Sequence, residues 1–147
     1  MKRLIVFIFL VMLFCLLGFE FTKNLSISDI FPSCLAEVYI DDCINASCGF
    51  ESIVNGSGSI IFCKTEDIKY INQMYNVIGF TFFLEDSVES SLIKLNVRGS
   101  FVFGGYIYGI CPYFGECILV GGNHVNFQCA VVEDRVVIGF PLLLGSY

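Results

Sequence analysis

Tryptophan is absent from this 147-residue chain, histidine occurs once, and basic residues are few. Each shortage excludes something. Eight Lys and Arg stand against 14 Asp and Glu, giving a formal net charge of −6. Lys2 and Arg3 supply +2 at the N-terminus, so everything after them carries −6 − 2 = −8. Phosphate backbones are bound through clustered Lys and Arg, often with stacking aromatics. An acidic body without Trp or a basic patch excludes nucleic acid as a partner. The single imidazole makes His124 the only candidate of its kind for a general base. Also missing are a phosphate loop, a serine nucleophile elbow and a dinucleotide fingerprint. Gly104-Gly105 and Gly121-Gly122 lie in or beside strand-like segments, where glycine pairs permit bulges or bends. Zinc needs four ligands at short paired spacings. Cys43-x4-Cys48 is the nearest approach, and no second pair matches it. No metal or cofactor site is expected.

What the chain has in quantity is apolar surface. Hydrophobic residues make up 56% and the mean hydropathy is +0.77, too apolar for a disordered polymer. Lys2-Arg3 precedes an unbroken apolar run from Leu4 to Phe19, ended by Glu20. Basic residues before such a run mark a secretory signal or signal anchor. As a helix the run spans ~24 Å at ~1.5 Å per residue, short of the ~30 Å hydrocarbon core. Phe21 and some bilayer thinning make a span feasible. No small-x-small cleavage site follows, and Phe14 before Cys15 is too large for a lipoprotein signal. The positive-inside rule places Lys2 and Arg3 in the cytoplasm. Residues 1–21 are therefore read as a signal anchor or signal peptide. The localisation expected is the cell membrane, with the domain outside, or secretion.

Residues 22–52 read as an irregular, Cys-containing segment, in which Leu35 to Ile40 is a strand or a helical turn. Residues 53–147 read as one domain. Asn55-Gly56-Ser57-Gly58 is a turn signal followed by a strand over Ser59 to Cys63. Thr65 is a candidate N-cap, with Glu66 and Asp67 favourable to the dipole of a helix near 66–75. Val77 to Leu84 reads as a strand. Asp86 or Ser87 caps a second helix carrying Val88, Leu92 and Leu95 on one face, with Gly99 placed to end it. Ser100 to Ile110 is strand-like. At the C-terminus, Val125, Phe127, Cys129 and Val131 alternate with polar neighbours, the period of a half-buried strand. Glu133-Asp134 is the turn. It lacks the Asn-Gly preferred by a tight hairpin, so a bulge or longer loop is expected. The return strand, Arg135 to Leu144, is apolar at both parities, which implies burial on both faces or coverage by a partner. Pro141 is expected to end that strand or place it at an edge. The fold class expected is α+β: an N-terminal apolar helix, a mixed or antiparallel sheet with about two helices on one face, and a C-terminal β-hairpin.

Several residues of the C-terminal half carry a family likeness. An aromatic strand holds Tyr106 and Tyr108, with Pro112 after it. Gly122, Val125, Asn126, Gln128 and Ala130 follow as Gly-x-x-Val-Asn-x-Gln-x-Ala. Ile138, Gly139, Pro141, Leu142, Gly145, Ser146 and Tyr147 close the chain. Over about Asp86 to Tyr147 the pattern resembles secreted or membrane-anchored Firmicutes proteins related to the YwmB family. That resemblance implies a fold similar to the TATA-box-binding protein, a curved sheet carrying helices. A likeness of fold does not imply DNA binding. It assigns no catalytic residues, and it makes a role in spore formation or the envelope an expectation.

Seven of the eight cysteines lie outside the apolar leader. In an oxidising space Cys111 and Cys117 are candidates to close a small loop, and Cys43 and Cys48 likewise. The plainer reading makes several of them small buried hydrophobes, Cys129 above all. Two functions compete. One is a non-enzymatic extracytoplasmic domain, tethered to the membrane by the N-terminal helix and meeting a protein or envelope partner on its apolar last strand. The other is a thiol-dependent enzyme using a cysteine with His124.

Overall fold

Alternating runs of β-branched and aromatic residues from Leu35 onward set the architecture, because such runs fit a pleated, half-buried surface. The computed structural model describes residues 26–44 and 49–143. Of these, 48% are in strands and 18% in helices. In chain order they form α1 (Ile27–Ile30), β1 (Leu35–Ile40), β2 (Glu51–Asn55), β3 (Gly58–Lys64), α2 (Ile68–Met74), β4 (Val77–Leu84), α3 (Val88–Lys94), β5 (Arg98–Phe103), β6 (Tyr106–Ile110), β7 (Ile118–Val120), β8 (Asn123–Val125), β9 (Phe127–Val132) and β10 (Arg135–Phe140).

Eight of the strands make one sheet in the order β2-β3-β1-β4-β10-β9-β6-β5, and β7 pairs with β8 separately. Every pairing in it is antiparallel. This corrects the α+β expectation of a mixed or antiparallel sheet with about two helices on one face: the protein is mostly antiparallel sheet. A strand-helix-strand crossover does occur at β3-α2-β4, but β1 lies between β3 and β4 and pairs antiparallel with both. The parallel neighbours a crossover would create are thereby separated. The helices are one or two turns long, so strand dominates. The expected N-terminal apolar helix lies outside the described residues.

Register divides the sheet into two faces. One row runs Cys63, Ala36, Phe82, Ile138, Cys129, Ile107 across six strands. The helices cover this face: Ile68 and Ile71 of α2, Val88 and Leu92 of α3, and Ile27 and Ile30 of α1 join the same core. Phe82, Phe127 and Ile138 are fully buried there, each stabilising the fold by about 1.5–3 kcal/mol. The next row, on the opposite face, runs Phe62, Glu37, Thr81, Gly139, Gln128, Tyr108, Phe101.

β1 falls inside the stretch read as irregular, yet Val38 and Ile40 are fully buried in the middle of the sheet. Its Tyr39 hydroxyl donates to Glu37 at 2.6 Å. Local signals elsewhere act differently from expectation. Thr65 does not cap α2; its hydroxyl donates to the Phe31 carbonyl at 2.7 Å and ties α1 to the 3-10 turn ahead of α2. Ser87 caps α3, accepting from the Ser90 amide at 3.1 Å, and Lys94 in the last turn reaches back to Asp86 at 2.6 Å. Asn96, at φ +50°, follows the helix, while Gly99, at φ +60°, sits where the β5–β6 register slips.

The C-terminal hairpin closes more tightly than expected. Arg135 pairs with Val132, so Glu133 and Asp134 alone form the turn. Both take positive φ, +48° and +64°, as a two-residue type I′ turn requires. Its return strand β10 is central, between β4 and β9. All residues from Val136 to Phe140 are buried. The doubly apolar pattern thus has an intramolecular cause. Past Pro141 the chain turns back over the second face: a Cβ on Gly139 would lie 2.3 Å from the Leu143 nitrogen. Glycine is required there because backbone crosses directly above it.

Candidate functional site

The thiols named in the sequence are dispersed. Cys34, Cys43, Cys63, Cys111, Cys117 and Cys129 are all free. Cys111 is buried, with its thiol donating to the Leu95 carbonyl at 3.5 Å, and Cys117 is exposed. Cys43 is exposed, its thiol 3.3 Å from the Ser57 carbonyl, and Cys48 lies outside the described residues. Burial pushes the Cys63 thiol up to about 12, and Cys111 and Cys129 each up to about 11. Cys34 is raised as well, by burial first and the Glu66 carboxylate second. Nucleophilic sulfur chemistry runs through the thiolate, and these sites hold the neutral form. His124 is exposed in β8, paired across the hairpin with Leu119. No hydrogen bond joins it to a cysteine among the described residues. Nor do three or more His, Cys, Asp or Glu gather there into a possible metal site.

What the fold does assemble is a groove. α1, α2, the start of β4 and the 111–117 loop enclose about 810 Å³ above the helix-covered face, within the range typical of small-molecule sites. Its floor is aromatic. Phe80 stacks on Phe82 at 6.0 Å and meets Phe114 at 6.0 Å, while Phe114 stacks on Phe140 at 3.8 Å. Offset and edge-on ring contacts of this kind add about 0.5–1.5 kcal/mol per pair beyond area burial. Seven-residue α2 supplies one wall through helical spacing: Ile68 and Ile71 point into the core, and Lys69, Asn72 and Gln73 line the groove. A second pocket of about 160 Å³ adjoins it and shares Val77, Phe80 and Phe114, with Glu116 at its edge.

The loop carrying Phe114 is held by one buried side chain. Asn126 Oδ1 accepts from the Cys111 amide at 2.7 Å, and its Nδ2 donates to the Cys111 carbonyl at 2.9 Å and to the Phe114 carbonyl. Its own amide donates to the Gly109 carbonyl at 3.1 Å. Gln128, two residues on, serves the opposite face. Its Oε1 accepts from the Leu143 amide at 2.9 Å and its Nε2 donates to the Tyr108 hydroxyl at 3.3 Å. Both belong to the motif quoted for the family resemblance, and each fastens a loop to the sheet.

None of the groove residues was singled out as a site in the sequence. Phe80, Lys69 and Phe114 are not neighbours along the chain, and the Asn126 contact to the 111–117 loop, with the stacking of Phe114 on Phe140, brings the third of them over the first. No helix among the described residues is long and apolar enough to cross a membrane. No protein-family model, curated protein or solved structure matches the chain.

Proposed function

We propose that this chain is a non-catalytic binding domain, held outside the cytoplasmic membrane or secreted, whose groove between α1, α2 and the 111–117 loop takes the apolar part of an envelope ligand. One observation carries the reading: a concave, aromatic-floored space of about 810 Å³ with a polar wall of Asn72 and Gln73. Apolar lining with a few placed polar groups is the usual composition of a ligand site. Support for a non-catalytic role comes from thiols kept neutral by burial at Cys63, Cys111 and Cys129. The extracytoplasmic placement rests on Lys2-Arg3 and the apolar run behind it. The last strand does not serve as the contact in this reading, because β10 is an interior strand.

The test is binding of the fluorescent apolar probe N-phenyl-1-naphthylamine to the full chain. Saturable enhancement is expected, and Asn72→Trp should abolish it by filling the groove from an exposed helix position without altering the unfolding midpoint. Enhancement that survives in Asn72→Trp overturns the assignment of the groove. Recovery of the full chain in the washed membrane pellet or the culture medium is expected, and recovery as a dissolved cytosolic protein overturns the placement.

A further inference from the structure

The groove has a charge signature that selects among apolar ligands. The chain as a whole is acidic, with 14 Asp and Glu against eight Lys and Arg. Yet the larger pocket is lined by one lysine and no carboxylate. Lys69 takes part in no ion pair among the described residues, where the Lys94–Asp86 bridge is formed. Its neighbours one turn on, Asn72 and Gln73, add amide donors to the same wall. A carboxylate, Glu116, lines only the smaller adjoining pocket. The α2 wall of the groove therefore offers an unpaired ammonium and amide donors, and its aromatic floor offers Phe80, Phe82 and Phe114. A ligand complementary to that order has an anionic head and a hydrocarbon tail.

Covalent geometry says where such a ligand would come from. Ser26, at the start of α1, lines the groove. Between Phe19, the last residue of the apolar run, and Ser26 stand only Glu20 to Leu25. An extended chain reaches about 3.5 Å per residue, so six residues can bridge at most roughly 20 to 25 Å. If the run anchors the chain, the groove lies within that distance of the bilayer surface, and amphiphiles leaving the outer leaflet are the nearest apolar molecules.

Resting on the function proposed above, we infer that the groove binds a single-chain anionic amphiphile drawn from the membrane, its head on Lys69 and its tail over Phe80 and Phe114. The experiment uses the full chain with phosphatidylcholine vesicles doped with a diazirine-bearing long-chain carboxylate, or with the matching neutral alcohol. Adducts are mapped by mass spectrometry after illumination. The carboxylate is expected to label the groove residues roughly three-fold more than the alcohol, as befits one exposed charge contact. Lys69→Glu should bring the carboxylate-to-alcohol labelling ratio down to about one or below, while Lys69→Arg should preserve the ratio. Equal labelling by both probes, unmoved by Lys69→Glu, would overturn the anionic head and leave the groove as a general apolar site. Adducts absent from the groove with either probe, or concentrated elsewhere on the chain, would overturn the amphiphile and the groove reading together.

Discussion

The carboxamide of Asn126 pairs with the backbone of Cys111 as a neighbouring strand would, accepting from its amide at 2.7 Å and donating to its carbonyl at 2.9 Å. The side chain is 1% exposed. It substitutes for a missing stretch of ladder at the point where β6 ends and the 111–117 loop lifts over the sheet. Buried backbone groups left without partners are costly, so this residue helps hold the loop, together with the stacking of Phe114 on Phe140.

Asn126→Ala is expected to lower stability by about 2–3 kcal/mol, because the Cys111 amide and the Phe114 carbonyl lose their partner, while the Cys111 carbonyl keeps only the Phe114 amide at 3.3 Å. Asn126→Asp should be no better at neutral pH. A carboxylate cannot donate, and it would face two carbonyl oxygens in a buried position. Acidification should restore part of that loss as the carboxyl gains a proton. Urea midpoints at pH 7 and pH 4 check both statements. An Asp variant as stable as the parent at pH 7 would sink the donor role of the Asn126 Nδ2.

The turn of the C-terminal hairpin should be improvable. Glu133 and Asp134 hold positive φ without being glycine, in a conformation that costs an L-residue about 1–2 kcal/mol. Glu133→Asn combined with Asp134→Gly is expected to stabilise the chain by about 1 kcal/mol. In a domain this size that is a rise of roughly 4 °C in the thermal midpoint. A fall in the midpoint would mean that the two acids make contacts worth more than the strain they carry.

How much of this was readable in the sequence depends on distance along the chain. The Ser87 cap of α3 is written within a few residues and was legible. Alternation from Val125 to Val131 pointed to strand but not to its faces: the strand breaks at Asn126 between β8 and β9, Asn126 and Gln128 are buried, and Val131 is exposed. β1 stayed open between a strand and a helical turn. Leu35 to Ile40 is too short and too ambiguous to classify alone, and only pairing with β3 and β4 makes it a central strand. The choice between a mixed and an antiparallel sheet stayed open for the same reason. A strand-helix-strand order reads as a parallel crossover until β1 is known to sit between β3 and β4. The groove is the extreme case: Lys69, Phe80 and Phe114 share no local pattern, and the loop that unites them hangs on a buried asparagine read only as part of a family motif.

Burial divides the cysteines into two reactivity classes. Cys43 and Cys117 are exposed, while Cys111 and Cys129 are buried. Iodoacetamide at pH 8 should alkylate the first two readily and the second two only on unfolding. Linkage gives the companion effect. The folded thiols of Cys63, Cys111 and Cys129 sit at about 11 to 12, above the ordinary value of 9.0. Above about pH 9 the unfolded chain therefore releases protons that the folded chain keeps, and stability falls as pH rises toward those folded values. Below pH 9 these thiols make stability neither rise nor fall. Urea midpoints between pH 7 and pH 10.5 should be level and then decline. Alkylation of Cys111 in the folded chain as fast as Cys117 would contradict the burial from which both effects follow.

Gly139 and Gln128, on the opposite face, should be energetically coupled. Gly139 lies beneath the returning backbone, where an added Cβ would stand 2.3 Å from the Leu143 nitrogen and 2.4 Å from the Leu142 carbonyl carbon. That same Leu143 nitrogen donates to Gln128 Oε1 at 2.9 Å. Gly139→Ala must push the Leu142–Leu143 segment off the sheet, at an expected cost of about 2–3 kcal/mol. Gln128→Ala removes one anchor of the segment and should cost about 1 kcal/mol. Once alanine at 139 has displaced Leu143, the hydrogen bond to Gln128 is already lost, so the double variant should be scarcely less stable than Gly139→Ala alone. Residues sharing one contact couple by about 0.5–3 kcal/mol, and the cycle should fall in the lower part of that range. Additive losses within error would show that the C-terminal segment is not held by Gln128.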